Sequence, residues 1–392
     1  MSSYNPRHKI ATRTRLSEVR YEIRGELARR ARELEGQGRS LIKLNIGNPG
    51  AFGFRAPDHL QRAIADHIAN TDPYTHQQGL PEAREAIAAF HKARGTPNAS
   101  PERVFVGNGV SELIDISLRA LLNPGEEVLL PSPDYPLWSA ATILNDGRPV
   151  YYRCDEANGF LPDPDQMEAL VSSRTRAIVL INPNNPTGAN YPRALLERIV
   201  AIAQKHRLLL LVDEIYDGIL YDDHVFQPVA PLSGDPMACG DFHHAMDLLG
   251  ALRLCANVPG QFAIEQALHG TDTITPLCQP GGRLYETRRA LIESCAASPH
   301  LSLVAPAGAL YGFPAVVGDA GRGFDDHAFA LEMLETEDVL LVPGSSFNVP
   351  YRNHFRVTLL PEAAVLREVF ARIDRVLERR AVTATGQRAA VA

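Results

Sequence analysis

Residues 208–216 read LLLLVDEIY, in which five apolar residues are followed at once by two acids, an isoleucine and a tyrosine. A run this apolar, without alternation of polar side chains, predicts a strand of a parallel sheet that is covered on both faces. Asp213 then stands at the carboxyl end of that strand, where ligands collect in parallel sheets. Because burial raises the pKa of a carboxyl group, we expect Asp213 to face a cation there. A solvated acid at the strand end is the alternative.

Apolar runs and helical patterns alternate on the amino-terminal side of this stretch. Helices are predicted at residues 111–122 and 192–206. The runs predicted as strands are residues 104–106, 127–130, 150–153 and 177–181. This alternation predicts an α/β fold with a large, doubly wound and mostly parallel sheet.

The pattern changes after Pro280. A long helical stretch, residues 282–297, leads into mixed strands and helices, and residues 362–380 place their apolar side chains on one helical face. We therefore predict two domains. The large domain is residues 57–279, and a smaller α+β domain is formed by residues 280–392 together with residues 1–56, which include an N-terminal arm. The last dozen residues are small and polar and predict a loose tail.

Composition narrows the class of function. The 392 residues are 45% apolar and 22% charged, which is typical of a globular protein. The net charge is −7, and the sequence contains no basic block that would bind nucleic acid. No apolar stretch approaches the roughly 18 residues that span a bilayer, and no signal peptide is predicted near the amino terminus. The five cysteines are scattered without the paired spacing of a metal site, so we expect no bound metal. We expect the thiols to be reduced, as in a cytoplasmic protein.

Two loops at predicted strand ends carry further chemistry. Residues 107–112 (GNGVSE) lead into a helix, and the backbone N–H groups of Val110 and Ser111 could cradle a phosphate. A plain strand–helix turn with Ser111 as the N-cap is the alternative. Residues 182–188 (NPNNPTG) form a turn rich in amide side chains, from which Asn185 could donate to an oxygen on a ring.

These motifs, in this order, resemble those of the class I aminotransferases of fold type I, and most closely those of the bacterial alanine (glutamate–pyruvate) transaminases. The resemblance covers nearly the whole chain. The residues that carry it are 44–49 (LNIGNP), 52–54 (FGF), 107–113, 131–136 (PSPDYP), 182–188, 213–216 (DEIY), 253–259 (RLCANVP) and 306–311 (PAGALY).

The resemblance implies pyridoxal 5'-phosphate as the cofactor and assigns a role to each residue that matches the family's motifs. Asp213 would keep the ring nitrogen protonated, so that the ring acts as an electron sink. The other implied cofactor contacts are Val110 and Ser111 to the phosphate, Tyr135 to the ring face, and Asn185 and Tyr216 to the phenolic oxygen.

The resemblance also implies the substrate contacts and the assembly. Arg356 would pair with the substrate α-carboxylate, with Gly47 and Asn185 beside it. Tyr74 would reach the phosphate of a neighbouring subunit, which implies a homodimer with shared sites. The implied reaction takes L-alanine and 2-oxoglutarate to pyruvate and L-glutamate.

One part of the family pattern is missing. Relatives follow the acid–tyrosine strand with another strand and a turn whose lysine forms a Schiff base with the cofactor and moves the substrate proton. Here the sequence passes from Leu232 directly to residues 233–236 (SGDP), so we predict that the strand, the lysine and a phosphate-binding arginine are absent as one block near residues 230–236. The only lysines are Lys9, Lys43, Lys92 and Lys205.

None of these four lysines is expected at the cofactor. Histidine could replace the lysine as a base, but His243 and His244 fall on a helix that we expect to lie away from the ring. Two hypotheses follow. The chain is an aminotransferase by descent, or it is a non-catalytic relative that binds pyridoxal phosphate without a covalent bond. Either way, a lost strand should leave an exposed sheet edge or a cavity and lower the stability.

Overall fold

The computed structural model describes residues 11–20, 25–234 and 240–389, with side chains in the last range as far as residue 382. The α-helices are α1 Glu26–Gly36, α2 Asp58–Ala65, α3 Pro81–Ala93, α4 Val110–Leu121, α5 Pro136–Leu144, α6 Pro164–Ala169, α7 Arg193–His206, α8 Gly240–Leu252, α9 Ile264–His269, α10 Thr275–Cys278, α11 Arg283–Ala297, α12 Asp326–Glu337 and α13 Ala363–Ala389. The strands are β1 Ile42–Lys43, β2 Glu127–Ser132, β3 Arg148–Arg153, β4 Thr175–Ile181, β5 Leu209–Asp213, β6 Leu301–Ser302, β7 Tyr311–Gly312, β8 Ala315–Val316, β9 Val339–Leu340, β10 Val342–Pro343 and β11 Phe355–Thr358.

The central sheet has four parallel strands in the order β3-β2-β4-β5. Side chains alternate between its two faces, as the period of two in a strand requires. Val128 and Val179 pack with α4 and α5 on one face, whereas Leu129 and Ile178 pack with α7 on the other. The predicted α/β fold with a parallel sheet is therefore confirmed.

Strand β5 departs from the prediction of a strand covered on both faces. All of β2 and all of β4 except Arg176 are buried, but Leu209 to Val212 are only half-buried. The reason is that β5 pairs with β4 on one side, and no strand within the described residues pairs with its other side. The predicted strand at residues 104–106 is also wrong, because that segment joins no sheet in the described part of the chain. Its Val106 N–H donates to the Gln78 carbonyl oxygen over 2.8 Å.

A second cluster of buried side chains joins the two ends of the chain. Helix α1 packs against α12, and β1 pairs in parallel with β9, so the segment before residue 57 lies on the carboxyl-terminal elements. The apolar face predicted for residues 362–380 is buried in α13, whereas the tail predicted from residue 381 continues that helix to Ala389. The domain boundaries at residues 57 and 280 stay a prediction. Among the described residues, no helix is both long and apolar enough to cross a bilayer.

Candidate active site

A cavity of about 210 Å³ lies at the carboxyl ends of β4 and β5, beside the start of α4. This is the edge of a parallel sheet at which ligands bind. It brings together Gly47, Val110, Ser111, Tyr135, Asn185, Asp213, Tyr216 and Arg356 of the predicted site, and it adds Ile46, Ile181, Ile215 and Tyr311. The cavity thus unites residues that lie as much as 310 positions apart in the sequence.

Asp213 is a buried acid that accepts hydrogen bonds from two neutral donors. Its carboxylate accepts hydrogen bonds from the Trp138 indole N–H (3.4 Å) and the Ile215 backbone N–H (3.3 Å). Burial raises the pKa of Asp213, and these two hydrogen bonds oppose the rise. No lysine, arginine or histidine in the described part of the chain forms an ion pair with it. The cation that we expected Asp213 to face is therefore not supplied by the described residues.

Arg356 on β11 forms the opposite wall of the cavity and is only 2% exposed. Its guanidinium donates to Asn185 Oδ1 (2.9 Å) and to the Asn45 carbonyl oxygen (2.5 Å). The same group lies over the rings of Tyr311 (4.3 Å) and Phe347 (4.9 Å). A guanidinium held by neutral oxygens and aromatic faces keeps its positive charge, and it lines the cavity as a rigid cation.

A pair of tyrosines connects these two walls. The hydroxyl groups of Tyr216 and Tyr311 lie 3.0 Å apart and share a hydrogen bond, and burial raises the pKa of Tyr216. Gly47 contacts this pair so closely that a methyl group at its Cα would overlap the Tyr311 hydroxyl. Tyr311 lies in the motif at residues 306–311, but no role was predicted for it, because only the tertiary packing brings it to the cavity.

The loop before α4 places Val110 and Ser111 in the first helical turn. Gly109 occupies the N-cap position with φ of 80°, a left-handed conformation that favours glycine, and its cap has no side-chain hydrogen bond. The alternative with Ser111 as N-cap is therefore wrong. The N–H of Asn108 donates to the Glu112 carboxylate (2.6 Å), which also pairs with Arg253.

The asparagine-rich turn uses its amides to fix its own shape. Asn184 Oδ1 accepts from the backbone N–H and the hydroxyl of Thr187, and Asn182 Oδ1 accepts from the Tyr191 N–H. Gly188 has φ of 73° and lies where a side chain would overlap Pro306. These contacts leave Asn185 as the member of the turn that lines the cavity.

Two sets of residues lie away from the cavity. Tyr74 is 78% exposed and is not brought to the site within one chain. Lys43 pairs with Glu35 and Lys205 with Glu168, at 2.6 and 2.7 Å, and both ion pairs lie outside the cavity.

The remaining amine and histidine candidates are equally remote. Lys92 is exposed near the end of α3, and Lys9 lies outside the described residues. His243 contacts the Glu102 carbonyl oxygen, and His244 is exposed. Within the described residues, therefore, no primary amine or histidine lines the cavity.

Comparison with known proteins shows the family to which this chain belongs. The sequence profile of the aminotransferase class I and II family matches residues 39–243, just over half of the chain. The chain belongs to this family, whose members depend on pyridoxal phosphate.

Within the family, the similarity is to alanine-type enzymes. The glutamate–pyruvate aminotransferase AlaA of Escherichia coli is 43% identical, with 90% of this chain and 94% of that protein aligned. The alanine aminotransferase of Mycobacterium tuberculosis is 41% identical over 96% of this chain and 94% of its own. The crystal structure of an aminotransferase from E. coli superposes with a TM-score of 0.92 at 40% identity, covering 95% of this chain and 99% of that one.

The lengths of these alignments show that a part of each relative has no counterpart in this chain. The alignment with the E. coli protein runs over 380 positions but takes in 90% of the 392 residues here, which is about 353 residues. About 27 aligned positions therefore have no residue of this chain opposite them. The M. tuberculosis alignment gives about 28, since 96% of 392 is about 376 of its 404 positions.

Proposed function

We propose that this chain is an alanine-type aminotransferase by descent, with L-alanine as the amino donor and 2-oxoglutarate as the acceptor. The observation that carries the proposal is that one small cavity is lined by both a buried carboxyl group, Asp213, and a buried guanidinium, Arg356. The E. coli relative is a glutamate–pyruvate aminotransferase, which supports this pair of substrates, and the M. tuberculosis relative is an alanine aminotransferase, which supports the donor.

The cavity fits the pyridine ring of the cofactor. Asp213 is buried without a cationic partner among the described residues, so a protonated ring nitrogen would supply the missing charge. Tyr135 would cover the ring face, Asn185 Nδ2 and the Tyr216 hydroxyl would donate to the phenolic oxygen, and the first turn of α4 at Val110 and Ser111 would receive the phosphate. When bound, the ring supplies an electron sink for the substrate Cα.

Arg356 would hold the α-carboxylate of the amino acid beside Gly47. Because its guanidinium is already oriented by Asn185 and by two aromatic rings, little rotamer entropy is lost when a carboxylate binds. The close approach of Gly47 to Tyr311 favours a small residue at that position. These residues bind and orient the substrate, whereas a residue that moves the Cα proton is not among those lining the cavity.

That gap supports a second candidate, a cofactor-binding protein that does not turn over. No lysine lines the cavity within the described residues, about 27 aligned positions lack a counterpart here, and the family profile ends at residue 243. We propose that the absent block falls near residues 230–236, as the sequence predicts. Of these, Asp235 and Pro236 lie outside the described residues.

We further propose a cytoplasmic homodimer. The four cysteines within the described residues are free thiols, which favours a reducing compartment. Tyr74 is well exposed and is available to reach a neighbouring subunit. Sedimentation of the purified chain tests the dimer directly.

The decisive experiment separates the two candidates. The purified chain is mixed with pyridoxal phosphate, reduced with borohydride, and weighed intact by mass spectrometry, with the E. coli relative as the positive control. A retained cofactor mass, and loss of its absorbance when L-alanine is added before reduction, would support turnover. Cofactor that binds but washes away after reduction would leave the non-catalytic candidate, and no binding at all would reject both.

A further inference from the structure

The two walls of the cavity are joined by a group of hydrogen bonds that none of the assigned roles uses. The Asp134 N–H donates to the Phe347 carbonyl oxygen (3.1 Å), and the Ser132 hydroxyl donates to the Asn348 carbonyl oxygen (2.9 Å). Asn348 Nδ2 returns two bonds, to Asp134 Oδ1 (3.0 Å) and to Ser139 Oγ (2.9 Å). We call this set of five residues the clasp. It joins segments that are more than 200 positions apart in the chain.

The clasp lies directly behind the cavity. On one side, Asp134 precedes Tyr135, which lines the cavity. On the other, Phe347 places its ring 4.9 Å from the Arg356 guanidinium. Asp134 itself is fully buried and does not line the cavity, so its link to the cavity runs through Tyr135 and Phe347.

The carboxyl at the centre of the clasp is unusual for a buried acid. Its Oδ1 is used by Asn348, whereas its Oδ2 is buried without a hydrogen-bond partner among the described residues. The titratable or charged groups near it are Tyr151 on β3 and, beyond that ring, Arg20, and neither forms an ion pair with Asp134.

This environment favours the neutral carboxyl. Burial raises the pKa of Asp134 to about 7, although the hydrogen bond from Asn348 opposes the rise. An ionised carboxylate with a buried oxygen that has no partner among the described residues gains free energy by becoming hydrated, and opening the clasp would expose it.

We propose that Asp134 is a positioning residue that joins the two walls of the cavity, and that it does so best while its carboxyl carries a proton. The inference rests on the proposed role of the cavity as the cofactor site. The closed clasp binds the Asp134 proton more tightly than the open one. Closure is therefore most favoured at low pH and weakens as the pH rises through about 7, above which it levels off.

The chain carries its own probe for this idea. Its single tryptophan, Trp138, donates a hydrogen bond to Asp213 at the cavity, so quenching of its fluorescence reports ligand binding. Pyridoxamine phosphate is the ligand of choice, because it needs no covalent link to the protein. Its affinity is measured from pH 5.5 to 8.5 for the wild type, Asp134→Asn, Asp134→Ala and Ser132→Ala.

The isosteric Asp134→Asn keeps the acceptor for Asn348 and cannot ionise. We expect the wild-type affinity to fall on the order of tenfold relative to this variant as the pH rises from 5.5 to 8, since ionisation then opens the clasp. Asp134→Ala should bind more weakly at every pH. Ser132→Ala, the matched control, removes a bond of the clasp without a titratable group and should keep the wild-type pH profile.

Two outcomes would overturn the proposal. Identical pH profiles in the wild type and Asp134→Asn would reject the role of the proton. Full affinity in Asp134→Ala would reject the positioning role.

If no form binds the ligand, the proposed function fails. The clasp is then tested in the free chain by hydrogen exchange at the Asp134 amide. That exchange should accelerate with pH more in the wild type than in Asp134→Asn, and equal acceleration would reject the inference.

Discussion

The two sides of the cavity differ in how completely they are packed. Around Arg356, the guanidinium, Phe347 and Tyr311 are buried, and the cation donates to Asn185 and the Asn45 carbonyl oxygen and lies over two aromatic rings. Along β5, Leu209 to Val212 are half-buried and Ile215 is 58% exposed. The side of the cavity formed by Arg356 is thus closely packed, whereas the side formed by β5 is partly exposed.

The same contrast holds between neighbouring strands. Strands β4 and β5 are parallel, adjacent and similarly apolar, yet one is buried and the other is half-exposed. They differ in the number of strands that pair with them. Strand β4 pairs with β2 as well as with β5, whereas β5 has no second partner among the described strands. Burial is therefore set by what lies beside a strand as much as by its own side chains.

Inserting the block that we propose is missing should remove this contrast and have the largest effect. The segment of the E. coli relative that fills the unmatched positions is inserted after Gly234. If it returns a lysine to the cavity, alanine–2-oxoglutarate transamination should rise by roughly 10³-fold, the scale of a positioned acid–base group. The melting temperature should rise by several degrees as the sheet gains a strand.

The matched control is the same insertion with its lysine changed to alanine. It should keep the gain in melting temperature without the gain in activity. A native chain that is already as active as the version with the insertion would contradict both the missing block and the contrast between the two walls.

Core truncations should sharpen the comparison between strands. Ile178→Ala in buried β4 should lower the free energy of unfolding by about 3–4 kcal/mol, because it leaves a cavity in a close-packed core. Leu211→Ala in half-buried β5 should cost about half as much, since less area is removed from water. Urea denaturation of the two variants measures both, and equal costs would show that β5 is covered after all.

Arg356→Lys tests the side of the cavity that Arg356 forms. Lysine keeps the charge but loses the planar fork that Asn185 and the rings orient. Affinity for the stable conjugate N-(phosphopyridoxyl)-L-alanine should therefore fall about 10–100-fold, the range of one or two charge-assisted hydrogen bonds. Affinity for pyridoxamine phosphate, which has no α-carboxylate, should be unchanged. A parallel loss for both ligands would mean that Arg356 supports the fold of the cavity and not substrate recognition.

Asp213→Asn should have the smallest effect on the free chain, and the sign is informative. Because the pKa of Asp213 is raised in the fold, this acid contributes stability at low pH that is lost as the pH rises from about 4 through the raised value. The amide variant escapes that loss, so at pH 7.5 it should be more stable than the wild type by about 1 kcal/mol while binding pyridoxamine phosphate more weakly. Thermal melts at pH 5 and 7.5 give the test, and a less stable variant at pH 7.5 would argue for an unseen cation at Asp213.

Much of this architecture could be read from local sequence. The apolar run before Asp213 and the run at residues 177–181 specified two adjacent parallel strands, and the turn at residues 182–188 carried enough turn-forming residues to be recognised. What failed depended on neighbours. Residues 104–106 were apolar enough for a strand but have no described strand to pair with, and β5 lacks the cover that its composition implied.

The site divides in the same way. Asp213, Asn185 and Arg356 were predicted because each lies in a recognisable motif. Trp138 and Tyr311 were given no role, since only the packed structure brings the indole to Asp213 and the second hydroxyl to Tyr216. The bond between Asp134 and Asn348 spans 214 positions and leaves no local signal in the sequence.

The paired hydroxyls of Tyr216 and Tyr311 give the cavity a reversible polarity. Two phenols 3.0 Å apart hold two protons, of which one lies between the oxygens and the other is free to point elsewhere. When Tyr216 donates to Tyr311, its oxygen offers a lone pair to a ligand, and when the order reverses it offers a proton. A rotation of two O–H bonds, with no movement of carbon, nitrogen or oxygen, thus lets the same cavity meet either an oxygen or an N–H group of whatever it binds.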